Sequence, residues 1–245
     1  MKINHIYIEN CLETMSRFDD GVIDLTVTSP PYDNLREYNG YVFDFPEIAQ
    51  ELYRVTKKNG LLVWVIGDAT INGGETGSSF KQALHFIELG FKLHDTMIYE
   101  KNSPAYPANR NGNRYTQIFE YMFVFAKGEV PKQLICDKAN KWAGHKDFSG
   151  KLKNAVPDFS PRNNIWKYTT SFNGVKHPAP FPELLAQDHI VSWSKPGDVV
   201  YDPFMGSGTT AKMALLNGRS FIGSEISSEY AELAFQRIDG LLEGV

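Results

Sequence analysis

"DVVYDPFMGSGTTAKMALLNGRSFIGSEI", residues 198–226, is the stretch from which the fold is read. An apolar strand pattern runs into Gly206-Ser207-Gly208, and a helix pattern starts at about Thr209. Gly206 to Ala211 fits the spacing G-x-G-x-x-A. Its glycines permit a tight turn and close approach of a ligand, and the helix N-terminus offers unpaired N–H groups to an anion. Glu225 ends the next apolar run, 19 residues after Gly206, where an acidic side chain takes the two hydroxyls of a ribose. A glycine-rich strand–helix turn without a ligand is the plainer reading. The 20 residues after Glu225 leave room for one helix. Further strands must then come from earlier in the chain, so the sheet is expected to be circularly permuted, with its cofactor half last.

The preceding sequence supplies such strands. "HIYIEN" (5–10) alternates, and "GVIDLTVTSPPY" (21–32) holds a strand at about 22–28 that stops at Pro30-Pro31. "FPEIAQELYRVTKKNG" (45–60) predicts a helix, with Pro46 early, Ile48, Leu52 and Val55 on one face, and Gly60 as its cap. "LLVWVIGD" (61–68) reads as a strand buried on both faces. A helix (78–90), two strands (91–101 and 117–128) and a helix (181–193) follow. Alternating strands and helices predict an α/β fold, a doubly wound, mostly parallel sheet with helices on both faces. Periodicity fades from about 130 to 175. The expected organisation is 1–129 as one half of the domain, 130–175 as an insertion, and 176–245 as the cofactor half.

The 245 residues, 42% apolar and 22% charged, suit one such domain. Cys11 and Cys136 lie far apart, which argues against a disulfide framework or a metal site. "MKINHIYIENCLETM" lacks a signal-peptide plan, and no apolar run approaches the roughly 18 residues of a membrane span. A soluble cytoplasmic protein is expected. Net charge is -4, but it is unevenly spread. Residues 101–176 hold 13 Lys+Arg against 5 Asp+Glu, and the remainder holds 12 against 24. A basic face for a polyanion fits that asymmetry, as does a solvated, loop-rich insertion.

"TSPPY" (28–32), then "HPAPFPELLAQDHI" (177–190), then "GDVVYDPFMGSGTT" (197–210) resembles the DNA amino-methyltransferases, in the motif order of their permuted β group. The resemblance covers about 22–235, with the insertion unmatched. It implies a Rossmann-like sheet, S-adenosylmethionine as cofactor, double-stranded DNA as substrate, and methylation of N4 of cytosine or N6 of adenine in a flipped base. The insertion becomes the target-recognition part. A homodimer and a cognate restriction endonuclease are further partners compatible with it. Asp202, Phe204, Gly206 and Gly208 would surround the methionine and sulfonium end, Thr209 and Thr210 its carboxylate or amine, and Glu225 the ribose. His177, Pro178 and Phe181 would line the same pocket.

The chemistry explains the proline corner. An exocyclic amino group is a poor nucleophile because its lone pair is delocalised into the ring. Two acceptors gripping its N–H bonds release that pair toward the methyl group. Ser29 Oγ and the Pro30 carbonyl are the candidates. Pro30 and Pro31 fix the backbone without adding N–H donors, and Tyr32 offers a flat face for the base. Arg110, Arg114, Lys138, Lys141, Lys146, Lys151 and Lys153 are candidate phosphate contacts. Trp142 and Phe148 are open between stacking and packing, and Trp166 is expected to pack. Ser-Pro-Pro-Tyr leans toward N4-cytosine within the family, and Asp-Pro-Pro-Tyr toward N6-adenine. A nicotinamide-dependent oxidoreductase would share the glycine turn but leaves the proline corner unexplained. A non-catalytic DNA-binding relative would keep the fold without the chemistry, and an RNA substrate would present the same amino groups.

Overall fold

The computed structural model describes residues 1–31, 43–102, 113–130, 134–145, 149–150, 157–169 and 182–242. In chain order the elements are β1 (His5–Tyr7), α1 (Cys11–Ser16), β2 (Ile23–Thr28), α2 (Phe45–Val55), β3 (Thr56–Ile66), the short β4 (Thr70–Ile71) and β5 (Gly74–Glu75), α3 (Ser78–Glu88), β6 (Lys92–Lys101) and β7 (Phe119–Ala126). Then come β8 (Lys138–Ala139), β9 (Phe159–Ser160), β10 (Ile165–Tyr168), α4 (Glu183–Trp193), β11 (Val199–Asp202), α5 (Thr209–Leu216), β12 (Ser220–Ser224) and α6 (Ser228–Leu242).

Eight strands form one sheet in the order β1-β12-β11-β2-β3-β7-β6-β10. Only β7 runs antiparallel to its neighbours among these strands. The order carries the expected permutation. The N-terminal β1 pairs with β12, near the C-terminal end of the described chain, with His5 opposite Ile222. From β11 the chain crosses through α5 to β12, and from β2 through α2 to β3, on the opposite side. The boundary between β11 and β2 is therefore the topological switch point, where open α/β sheets bind ligands.

Strand alternation sorts the core into two layers. Leu61, Val63 and Val65 of β3 pack on the side of α4, α5 and α6. Leu62, Trp64 and Ile66 pack on the side of α1, α2 and α3. β3 thus buries both faces, as its unbroken apolar run requires. α2 starts where Asp44 accepts from the Glu47 N–H at 3.2 Å, with Pro46 in its first turn. Its Arg54 donates to the carbonyls of Met15 and Phe18 at 2.7 Å, satisfying the open end of α1.

Two expectations need correction. Gly60 does not cap α2, because the helix stops at Val55 and Gly60 lies inside β3. A bulge between the partners of Ile23 and Leu25 absorbs residues 57–60, with Asn59 at φ 66. A side chain on Gly60 would meet the carbonyls of Asp24 and Lys57 at 3.0 Å. Second, the stretch read as irregular insertion contains β10, which pairs in parallel with β6 as the eighth strand of the sheet. The short helix α1 is likewise not announced by the sequence pattern.

Candidate active site

β2 and β11 run side by side, with Leu25 opposite Val200 and Thr26 opposite Tyr201. Their carboxyl ends release the Ser29-Pro30-Pro31 corner and the Asp202-Pro203-Phe204 turn at the same place. Thr28 Oγ1 donates to Asp202 Oδ1 at 2.6 Å in a buried contact. The Phe204 N–H donates to the same oxygen at 3.0 Å. Thr210, in the first turn of α5, donates to the Val27 carbonyl at 3.3 Å. The proline corner and the glycine turn are thus stitched together by side chains that precede and follow them. Pro30 is buried, and Ser29 and Pro31 are half-buried. Tyr32 lies outside the described residues.

The glycine turn is built by backbone bonds. The Met205 N–H reaches the Ser224 carbonyl at 2.9 Å, and the Gly208 N–H reaches the Met205 carbonyl at 2.9 Å. Gly206 has φ 51 and Gly208 φ 79, left-handed values that suit glycine. At Gly208 space matters as well, since a Cβ there would sit 2.8 Å from Ala234 Cβ on α6. Arg237 of α6 closes the structure from outside. It donates to the Ser207 carbonyl at 2.7 Å, to Ser207 Oγ at 2.9 Å and to Thr209 Oγ1 at 3.1 Å, and it pairs with Glu183 at 2.6 Å. Lys212 joins Glu183 at 2.7 Å. The hydroxyls of Thr209 and Thr210, read from sequence as facing a cofactor, each have a protein partner.

Two buried carboxylates face this corner. Glu225 accepts the Gly206 N–H at 2.7 Å through Oε2 and the Ser227 N–H at 2.9 Å through Oε1. Asp202 is 5% exposed and Glu225 8%. Burial pushes the Asp202 carboxyl up to about 6, against the lowering effect of the Thr28 hydroxyl. Burial also raises Glu225, offset by the N–H groups of Ser227 and Gly206. Among the described residues, no Lys, Arg or His pairs with either carboxylate. Their oxygens retain lone pairs for a cation or a hydroxyl donor. The half-buried Phe204 packs with its ring 5.7 Å from Phe43 and 6.2 Å from Trp64.

His177, Pro178, Phe181, Arg110, Lys146, Lys151, Lys153 and Phe148 lie outside the described residues. Arg114 is tied to the β4–β5 hairpin through the Gly73 carbonyl and Glu75. Lys138, in the β8–β9 ribbon, is exposed and reaches Asn163 at 2.8 Å, and Lys141 is exposed in the next turn. Trp142 beside it is 63% exposed. Trp166 packs as expected, 7% exposed against His189 at 4.8 Å. Sequence reasoning missed Thr28 and Arg237. The available signals were a threonine adjoining the proline corner and one arginine three residues from the small Ala234 on α6.

A permuted, doubly wound sheet with buried carboxylates at its switch point defines a Rossmann-like methyltransferase fold. The DNA methylase family model of N6 and N4 enzymes matches residues 23–236. The chain belongs to that family. The orphan methyltransferase M.BamHII of Bacillus amyloliquefaciens is 56% identical over 241 residues, covering 89% of each chain. Among solved structures, the TTHA0409 putative DNA modification methylase of Thermus thermophilus, complexed with S-adenosyl-L-methionine, aligns with TM-score 0.69 and 25% identity, covering 98% of this chain and 96% of that one. PvuII DNA methyltransferase, described as cytosine-N4-specific, shares the fold with TM-score 0.75 and 24% identity, covering 99% and 91%.

Proposed function

We propose that this DNA methyltransferase transfers a methyl group from S-adenosylmethionine to N4 of cytosine in double-stranded DNA. The observation that carries the proposal is the Thr28–Asp202 hydrogen bond, which sets the Ser-Pro-Pro corner beside a pair of buried carboxylates. Those carboxylates fit the cofactor chemically. The ammonium and sulfonium charges supply the cation that Asp202 and Glu225 lack among the described residues, and the ribose hydroxyls suit the remaining lone pairs of Glu225. When bound, the cofactor supplies an electrophilic methyl group on sulfur.

The chain does the rest. Asp202 orients the positive end of the cofactor, and Glu225 the ribose, while Gly206 keeps the turn open. Ser29 Oγ and the Pro30 carbonyl accept the two N–H bonds of the target amino group and hold its lone pair toward the methyl carbon. Tyr32 stacks on the base, and His177, Pro178 and Phe181 complete the pocket. Thr210 acts through the Val27 carbonyl it binds, and Thr209 through Arg237, which also holds the Ser207 carbonyl. The stretch 130–175 serves target recognition, with Arg110, Arg114, Lys138, Lys141, Lys146, Lys151 and Lys153 on phosphates. Serine rather than aspartate at the first position of the motif favours cytosine over adenine. The word orphan in the name of the 56% identical relative favours a solitary enzyme over one with a cognate endonuclease.

Transfer of tritiated methyl groups to mixed-sequence duplex DNA tests the reading. The wild-type chain labels DNA, and Ser29→Ala loses about a hundredfold or more in kcat with cofactor affinity retained. Full turnover by Ser29→Ala contradicts the acceptor role of that hydroxyl.

A further inference from the structure

The sheet edge that carries Ser29 also carries a projection. Thr28 is opposite Trp64, so Ser29 leaves β2 beside the last residues of β3. β3 ends at Ile66, and the chain passes through the β4–β5 hairpin before entering α3. Ile66 is opposite Tyr121, which puts the segment 113–118 that leads into β7 at the same edge. The hairpin is short and firmly based. Thr70 pairs with Glu75 and Ile71 with Gly74, and Asn72 and Gly73, at φ 51 and 79, make the two-residue turn. At its base Asp68 accepts the Ser79 N–H at 2.9 Å, and the Thr76 N–H reaches the Ala69 carbonyl at 3.0 Å. Arg114 binds the Gly73 carbonyl and Glu75, which tethers the leading segment to the turn.

Among the described residues, Ile71 is 51% exposed and Tyr115 fully exposed. Singly, such residues are ordinary. Here the Arg114 tether brings both to one projection, at the edge the substrate must meet. A base reaches Ser29 only after leaving the duplex stack, at the cost of its pairing and stacking. An apolar or aromatic side chain that enters the stack offsets that cost, since base–aromatic stacking contributes about 1–3 kcal/mol. Tyr115 has the flat ring for this, and Ile71 the apolar bulk. Glu75 is the one acidic residue of the hairpin strands, and Arg114 lies 3.5 Å from it, so the tip does not repel the phosphates beside the gap.

We propose that the β4–β5 hairpin and Tyr115 form a wedge that holds the duplex open at the target base. Tyr115 stacks in the space the base vacates, and Ile71 packs against the neighbouring base pair. The wedge rests on the DNA-methylation reading and gives it positioning residues outside both of its motifs. Photocrosslinking tests it, with the full chain, S-adenosylmethionine and mixed-sequence duplex DNA carrying 5-iodouracil in place of thymine. Tandem mass spectrometry is expected to find a nucleotide adduct on Tyr115. In tritiated-methyl transfer to ordinary duplex DNA, Tyr115→Ala and Ile71→Ala each lose about tenfold or more in kcat/KM, with S-adenosylmethionine affinity and circular dichroism unchanged. Tyr115→Phe keeps wild-type turnover, because the ring and not the hydroxyl does the stacking. Adducts confined to other residues, or undiminished turnover in either alanine variant, overturn the wedge and leave the methylation reading intact. DNA left unlabelled by the wild-type chain overturns that reading, and the wedge with it.

Discussion

Thr28 and Asp202 show how one hydrogen bond joins two motifs that are 174 residues apart. Asp202 holds its proton more tightly in the folded chain, at about 6 against an ordinary 3.8. Folding therefore takes up a proton between those values. Its stability contribution declines as pH rises through that window and is flat above it, a cost of roughly 3 kcal/mol at neutral pH. Asp202→Asn removes the cost. In denaturant melts at neutral pH it should be more stable than wild type, with the gain vanishing below about pH 4. On the proposed role of Asp202, in which the ionised carboxylate meets the cofactor's cation, the same change should weaken S-adenosylmethionine binding. Calorimetry across pH should show wild-type affinity declining as pH falls through about 6. Thr28→Val removes a donor to the charged form, so its midpoint should move up by about one pH unit, and Thr28→Ser should restore it. An unmoved midpoint in Thr28→Val would separate Thr28 from the electrostatics of the site.

At the scale of elements, Gly208 and His189 carry the contrast between pattern and packing. G-x-G-x-x-A was legible in sequence, and the strand–turn–helix it predicts is present. Its second glycine is needed for another reason, because α6 leaves no room beside Ala234. Gly208→Ala should cost a few kcal/mol in thermal or chemical melts, through a positive φ and a clash with backbone, before any effect on cofactor. His189 on α4 is fully buried, accepts from Trp193 Nε1 at 3.1 Å, and is driven down to about 3 by burial. The unfolded chain binds that proton first. The contribution of His189 is whole above about pH 6.5 and is lost as pH falls toward 3, by about 2 kcal/mol at pH 5. His189→Gln should show a smaller loss between pH 7 and 5 in urea melts. Strands and helices with unbroken period were readable because burial itself imposes the period. α1 and β10 were not. Each is short, and β10 owes its place to pairing with β6, a partner that local sequence does not announce. Gly60 misled because a glycine after a lysine-rich turn is also what a bulge requires.

For the whole molecule, the permuted order brings the proline corner of the first half and the buried carboxylates Asp202 and Glu225 of the last half to one switch point, where the proposed function uses them as amino-group acceptors and cofactor ligands. The motifs made that arrangement legible; the stitching by Thr28, Thr210 and Arg237 depends on distances that only the folded chain defines. Charge is divided in the same way, with the basic excess in 101–176. DNA affinity should fall steeply with salt, and Lys138→Ala and Lys141→Ala should each reduce the log–log slope by about one, without changing the sequence modified. A slope unaffected by both would place DNA elsewhere. The most direct test is mass spectrometry of nucleosides from mixed-sequence duplex DNA incubated with the chain and S-adenosylmethionine. The account predicts N4-methylcytosine that disappears with Ser29→Ala; N6-methyladenine alone would contradict the assignment of the base, and DNA left without a methyl group on either amine would contradict the site itself.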